Sequence, residues 1–183
     1  MKRFMTALAA AIVVALAGGD LLATTVRTMS NRELTEQADV VVIGKGATMR
    51  TAWQGRTLFT LVTVTVAETL KGAPQATVTV AIPGGIDLNR KAPISMSFPS
   101  APGIKRGEEV VLFLAQTAAV SSGYVVLGFS QGKFSILAQP AGEQVVSRDL
   151  TNIQLQGGTG VVPGAVSRVP LSRFRNEIRG YLK

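Results

Sequence analysis

Few residues in this 183-residue chain have side chains suited to catalysis. Histidine and cysteine are both absent. Their absence removes the commonest general base and the commonest zinc ligands. Ser-His-Asp and Cys-His arrangements are therefore ruled out. Serine, lysine, tyrosine and carboxylates remain. Ser130-Gln131-Gly132-Lys133 has the S-x-x-K spacing of serine penicillin-binding enzymes. In those enzymes the serine opens a helix, and lysine lies one turn on, on the same face. Here a glycine stands between the two, strand-forming residues flank them, and no Lys-Thr-Gly or Ser-Asp-Asn follows.

Other motifs fall short by position. Gly128 to Lys133 lacks one residue of a phosphate loop. Gly158-Thr159-Gly160 has Pro163 where a dinucleotide fingerprint needs its third glycine. Glu108-Glu109 is an adjacent carboxylate pair, but strand neighbours point to opposite faces. Asp87 and Asp149 lack acidic companions at calcium-loop spacing. No cofactor and no metal are expected. A hydrolase using Asp, Glu, Lys or Tyr alone is the weakest of the functional readings.

Binding is the stronger expectation. Trp53, the single tryptophan, lies in a stretch that reads as a connection, Met49 to Gly55. It suits a partner anchor, or the cover of one end of a barrel. Lys105 and Arg106 stand on a loop, and Arg173, Arg175 and Arg179 share one face of a C-terminal helix. These five suit an anionic lipid or cell-envelope polymer, or are simply a solvated face. Phe129, Lys133 and Phe134 could imitate a base-stacking platform. Export argues against nucleic acid, and both rings suit a core equally well.

The elements that position these residues are mostly strands. Arg56 to Gly85 reads as one hairpin. Leu58, Thr60, Val62, Val64 and Val66 share one face of its outgoing strand; Val78, Val80 and Ile82 share one face of the return. A corner at Leu70-Lys71-Gly72 joins them, and Pro83 ends the return because it cannot donate to a ladder. Val40 to Gly44 and Glu109 to Ala115 read as short buried strands. Ile94 to Phe98 suits an edge strand. Tyr124 to Phe129 and Lys133 to Ala138 read as a second hairpin, and Gln144 to Val146 as a further strand. Gln156 to Gly164 has the composition of a flexible loop. Val62, Val64, Val66, Val78, Val80, Val111 and Phe113 are expected in one core.

Two helices flank the strands. Ser30 and Glu33 have capping-box spacing before Asn31 to Ala38, with Met29 placed to staple onto Leu34. Near the C-terminus Leu171, Phe174, Ile178 and Leu182 recur at helical spacing. The fold class that follows is mainly β: a small antiparallel barrel of OB-like type, with an N-terminal and a C-terminal helix packed on it.

Residues 1–17 read as a secretory signal. Lys2 and Arg3 precede an apolar run from Phe4 to Leu16, and Ala15-Leu16-Ala17 is a small-residue cleavage pattern. The run is short for a membrane span, and no apolar tail precedes Lys183. The expectation is an exported protein, periplasmic or extracellular, with residues 18–183 forming a single domain. The net charge is +8, of which Lys2 and Arg3 carry two. Without cysteine, packing alone must stabilise it.

Ala38 to Lys45, then Leu70-Lys71-Gly72 after a long strand, then Glu109 to Leu114 and Gly123 to Phe134, resemble in order the netrin-like module of tissue inhibitors of metalloproteinases. The chain also looks like exported bacterial proteins with the same pattern. The resemblance covers about Ala38 to Ile136 and implies an OB-fold barrel with packed helices. Those inhibitors chelate protease zinc through an N-terminal cysteine. This chain has none, so neither the inhibitory residues nor the inhibition carries over. The expected function is an exported, non-catalytic module binding a protein, with an anionic envelope component as the alternative partner.

Overall fold

The computed structural model describes residues 26–118, 120, 123–140, 142–150, 155–156 and 168–183. The expected signal and the glycine-rich stretch after Gln156 fall outside them. The chain is mainly β, with two helices. The centre is a long antiparallel hairpin, β2 (Val40–Gln54) with β3 (Thr57–Lys71). β4 (Thr77–Pro83) pairs on the far side of β3, and β7 (Glu109–Ala115) pairs on the first half of β2. β9 (Lys133–Ala138), β10 (Gln144–Ser147) and β12 (Val169–Pro170) extend the sheet beyond β7. A two-residue β8 (Val125–Val126) also pairs with β7. β1 (Val26–Arg27) pairs in parallel with β11 (Leu155–Gln156), and β5 (Gly85–Asp87) with β6 (Ile94–Met96).

The expected closed barrel is not found among the described residues: the sheet is one large antiparallel sheet, in the order β12-β10-β9-β7-β2-β3-β4. Two features make it longer than the residue pattern indicates. β2 does not stop at Gly44 but continues through the presumed connection to Gln54, so Trp53 lies on a strand. The second half of β2 mixes apolar and polar residues and is half-exposed, so the alternation of Ala47, Met49 and Trp53, broken by Thr51, is too weak to reveal it. The far end of β3 pairs only with β2, because β4 begins opposite Thr65.

The expected hairpin of Tyr124–Phe129 with Lys133–Ala138 is also absent. β8 and β9 both run antiparallel to β7, at Leu114–Ala115 and at Val110–Leu112 respectively. They form one strand interrupted opposite Phe113. The interruption, Leu127 to Gly132, ends in a 3-10 turn (Phe129–Gly132). Leu127 N–H still donates to the Phe113 carbonyl at 2.9 Å, which anchors the start of the excursion. Gly128, at φ +64°, turns the chain out of line.

β7 explains why one expected core is two. Five consecutive residues, Val110 to Leu114, are buried. Alternation sends Val110, Leu112 and Leu114 to one face, with Val62, Val64, Val78 and Val80 and the partly buried Val66. Val111 and Phe113 face the other way, into a cluster with both helices. A strand covered on both faces reads as a continuous apolar run.

The helices cover that second face. In α1 (Asn31–Gln37) the Ser30/Glu33 capping box forms, and Met29 and Leu34 are buried together. α1 has no basic residue in its last turn; Lys71 Nζ, from the end of β3, instead donates to the Thr35 and Glu36 carbonyls at 2.8 and 2.9 Å. α2 (Leu171–Tyr181) buries Leu171, Phe174 and Ile178, while Leu182 lies just past the helix and is 40% exposed. Asn31 Nδ2 and the Tyr181 hydroxyl both donate to Glu177, which ties the helices together.

Candidate functional site

The excursion between β8 and β9 is held by a buried side chain. Gln131 is fully buried; its Oε1 accepts from Met29 N–H at 2.7 Å and its Nε2 donates to the Arg27 carbonyl at 2.9 Å. The turn therefore clamps the strand that enters α1. On its other side, Ser130 donates to the Ser100 carbonyl through its backbone N–H at 3.2 Å and its hydroxyl at 2.8 Å. Ser100 and Phe129 are the non-glycine residues with left-handed backbone among the described ones, at φ +65° and +59°. For a bulky residue such as phenylalanine this conformation is a true outlier, held only by surrounding structure.

Phe129 lines a cleft of about 490 Å³, and Ser100 holds the turn that carries it through the Ser130 hydrogen bonds. Its floor comprises Phe59, Ala81, Pro102 and Val126, with the half-buried Val125; Phe98 and Phe129 form its rim. Phe98 is 37% exposed and Phe129 41% exposed. Thr57 and Thr117 carry the only side-chain hydroxyls among its described lining residues, and none of these bears a charge. Strained backbone clusters at sites where geometry must be enforced. A concave apolar surface of this volume is the form of a binding site.

A polar pocket lies on the far side of the Ser100–Ser130 strut, and the two share Pro102. There Lys133 Nζ meets Glu108 Oε1 at 2.6 Å, and Ser135 Oγ donates to the same oxygen at 2.8 Å. Lys133 Nζ also donates to Ser135 Oγ at 2.9 Å. The directions run opposite to those of an activated nucleophile, whose lysine must accept the serine proton. Ser130 and Lys133, the S-x-x-K pair, point to different partners: the Ser100 carbonyl and Glu108. Partial burial disfavours the Glu108 charge, but hydrogen bonds from Lys133, the Lys105 N–H and Ser135 outweigh it and hold the carboxyl below the ordinary glutamate range. A folded-state value below the unfolded one contributes stability at neutral pH that is lost as pH falls through the folded value. Glu108→Gln should therefore flatten the acid limb of a Tm-against-pH curve. A variant that keeps the wild-type acid limb would show that Glu108 does not contribute to it.

The structure disperses the residues singled out from sequence. Trp53 Nε1 donates to Asp87 Oδ2 at 2.7 Å, and the Arg90 guanidinium lies 5.1 Å from the Trp53 ring centroid. This hydrogen bond, with those from Asn89 N–H and Arg90, holds Asp87 below the ordinary aspartate range. Trp53 thus fastens β5 to β2. Lys105 and Arg106 are exposed in the turn before β7. Arg173 is exposed on α2, whereas Arg175 and Arg179 converge on Glu68 of β3 at 2.9 and 2.8 Å. Phe134 is core, packed against Phe113 and Phe174. Phe98 emerges only from tertiary structure; in the sequence Phe129 stands out as one of a base-stacking set with Lys133 and Phe134, and of that set only Phe129 lines the cleft. No group of three His, Cys, Asp or Glu side chains suited to a metal comes together among the described residues.

Comparison of the chain with family models, with curated proteins and with solved structures returns no match. The site must therefore be interpreted from its own geometry.

Proposed function

We propose that the protein is an exported, non-catalytic binding module that takes an apolar segment of a partner protein into the cleft beneath Phe98 and Phe129. The observation that carries this reading is the cleft itself: two exposed rings over an apolar floor, one of them, Phe129, on left-handed backbone. A pocket for a small metabolite carries convergent polar groups that fix orientation. Here the described lining offers only the two threonine hydroxyls. Aromatic anchors that exclude water are instead the makings of a protein-recognition hot spot.

The scaffold is read as an OB-like barrel of netrin-like type. In support, Ala81 N–H donates to the Tyr124 carbonyl at 2.7 Å and Tyr124 N–H to the Thr79 carbonyl at 2.9 Å, a parallel bridge between β4 and the start of β8. With it, the strands follow one another as β2, β3, β4, β8–β9 and β7, and β7 pairs back onto β2. That order is compatible with a five-stranded Greek-key barrel, with the isolated bridge at Tyr124 as its one link between β4 and β8 among the described residues. Export rests on the Lys2-Arg3 start and the apolar run of residues 1–17. N-terminal sequencing of the mature protein should start near Gly18; an intact Met1 on cytosolic material would refute export.

The anionic-surface reading needs a continuous basic face. Arg175 and Arg179 are committed to Glu68, which leaves Arg173, Lys105 and Arg106 to carry it. Display of random peptides against the mature protein separates the two readings. Sequences with an aromatic or aliphatic anchor should be enriched. Enrichment of acidic sequences with no apolar anchor would support the basic face and count against the cleft.

A further inference from the structure

The outer edges of the large sheet are mostly short, covered or ended by proline. β4 stops at Pro83, and Tyr124 bridges it at Val80. β12 is two residues long and ends in Pro170. Beyond β4, β3 meets α2, whose Arg175 and Arg179 hold Glu68. The second half of β2 is different. β7 pairs with β2 as far as Lys45, and the turn before β7 carries the pairing to Gly46. Gly46 N–H donates to the Glu108 carbonyl at 3.0 Å, and its carbonyl accepts from Gly107 N–H at 2.7 Å. The register with β3 then shifts at Ala47. From Thr48 to Trp53, β2 pairs with β3 on one side and with no strand on the other among the described residues.

Such an edge offers a row of N–H and C=O groups to a further strand, and native proteins blunt it with proline, lysine or a covering element. Thr48 to Trp53 contains neither proline nor lysine. Its charge is Arg50, which is exposed and pairs with no carboxylate among the described residues. Residues opposite each other in an antiparallel pair share a face. Arg50 is opposite Leu61, and Met49 is opposite Val62. Arg50 and the 43% exposed Met49 therefore stand on opposite faces of the edge. An added strand would set one residue beside Arg50 and its neighbour beside Met49.

We infer that the β2 edge from Thr48 to Trp53 takes an extended segment of a partner protein in which acidic and aliphatic residues alternate. Main-chain hydrogen bonds hold the added strand, and its side chains confer the choice of sequence. An acid beside Arg50 gains an opposite-charge cross-strand pair, and an aliphatic residue beside Met49 gains burial. A second copy of this chain fits less well: from Lys45 to Arg56 it has no acidic residue to set beside Arg50. The edge is separate from the cleft and does not depend on the function proposed for it.

The test follows amide hydrogen exchange in the 15N-labelled mature protein at low ionic strength. The probes are the peptide Thr-Glu-Val-Glu-Val-Glu-Val-Thr and its counterpart with lysine for glutamate. The glutamate peptide should slow exchange of the outward N–H groups between Thr48 and Trp53 by about tenfold or more; the lysine peptide should not. Arg50→Glu should reverse that preference. The wild-type measurement stands even if this variant does not fold. Phe98→Ser/Phe129→Ser should keep the response, and its loss there would place the peptide in the cleft and overturn the assignment. Wild-type exchange unmoved by the glutamate peptide would overturn it too, as would an equal response to the lysine peptide or a glutamate preference retained by Arg50→Glu. Edge amides protected without peptide and released on dilution would show a second copy seated there, against the assignment.

Discussion

Phe174→Ala should lower unfolding free energy by about 3–5 kcal/mol, the cost of removing a fully buried ring. Phe174 is 1% exposed, with its ring centroid 4.7 Å from that of Phe134 and 6.4 Å from that of Phe113. These three rings join α2 to β7 and β9. An eleven-residue helix is marginal alone in water, so losing this contact should also loosen α2. Denaturant melts of the two proteins measure the effect. A difference below about 1 kcal/mol would mean that the helix is not docked as described, since truncating so buried a ring costs far more.

Gly132→Ala should be nearly as damaging, by about 3 kcal/mol, the upper end of the range for overpacking. A Cβ at this position would sit 2.3 Å from the Leu127 carbonyl oxygen and 3.2 Å from that of Phe113. Both are backbone atoms, so no side-chain rotation relieves the clash. The excursion must open, and it carries Phe129 and Gln131. Gly132→Ala should therefore weaken peptide binding as well as lower Tm, and expose the Arg27–Met29 segment to proteolysis. A variant with wild-type Tm would show that the β8–β9 interruption is not closed in this way.

Local pattern revealed what local chemistry determines. The valine alternation of β3 and β4, the Ser30/Glu33 cap and the Leu171-Phe174-Ile178 stripe are each set by neighbours in sequence, and each stands in the structure. Leu182 continues the spacing but lies past the last helical residue, beyond the reach of the helix contact. The second half of β2 was illegible because strand pairing there is sustained by β3, while its own residues are half-exposed. The candidate site was legible least of all. Phe129, read as the end of a strand, suits a core as well as a surface; the Ser130 hydroxyl on the Ser100 carbonyl, thirty residues away, holds the turn in which it is 41% exposed. Trp53 looked like an anchor because it is the lone tryptophan, yet its partner is Asp87, on a strand that pairs elsewhere. Arg175 and Arg179 looked like a solvated face because Glu68 is remote in sequence.

The central claim is that the cleft beneath Phe98 and Phe129 binds an apolar protein segment. Calorimetric titration with an apolar peptide enriched by display tests it most directly. The comparison is between wild type, Phe98→Ser/Phe129→Ser, and Arg173/Arg175/Arg179→Gln. Both rings are over one-third exposed, so the serine double variant should keep close to the wild-type Tm. The account predicts that it loses at least about tenfold in affinity, as expected when hot-spot aromatics are removed, while the glutamine variant binds as wild type. Equal affinity of the double variant and the wild type would contradict it.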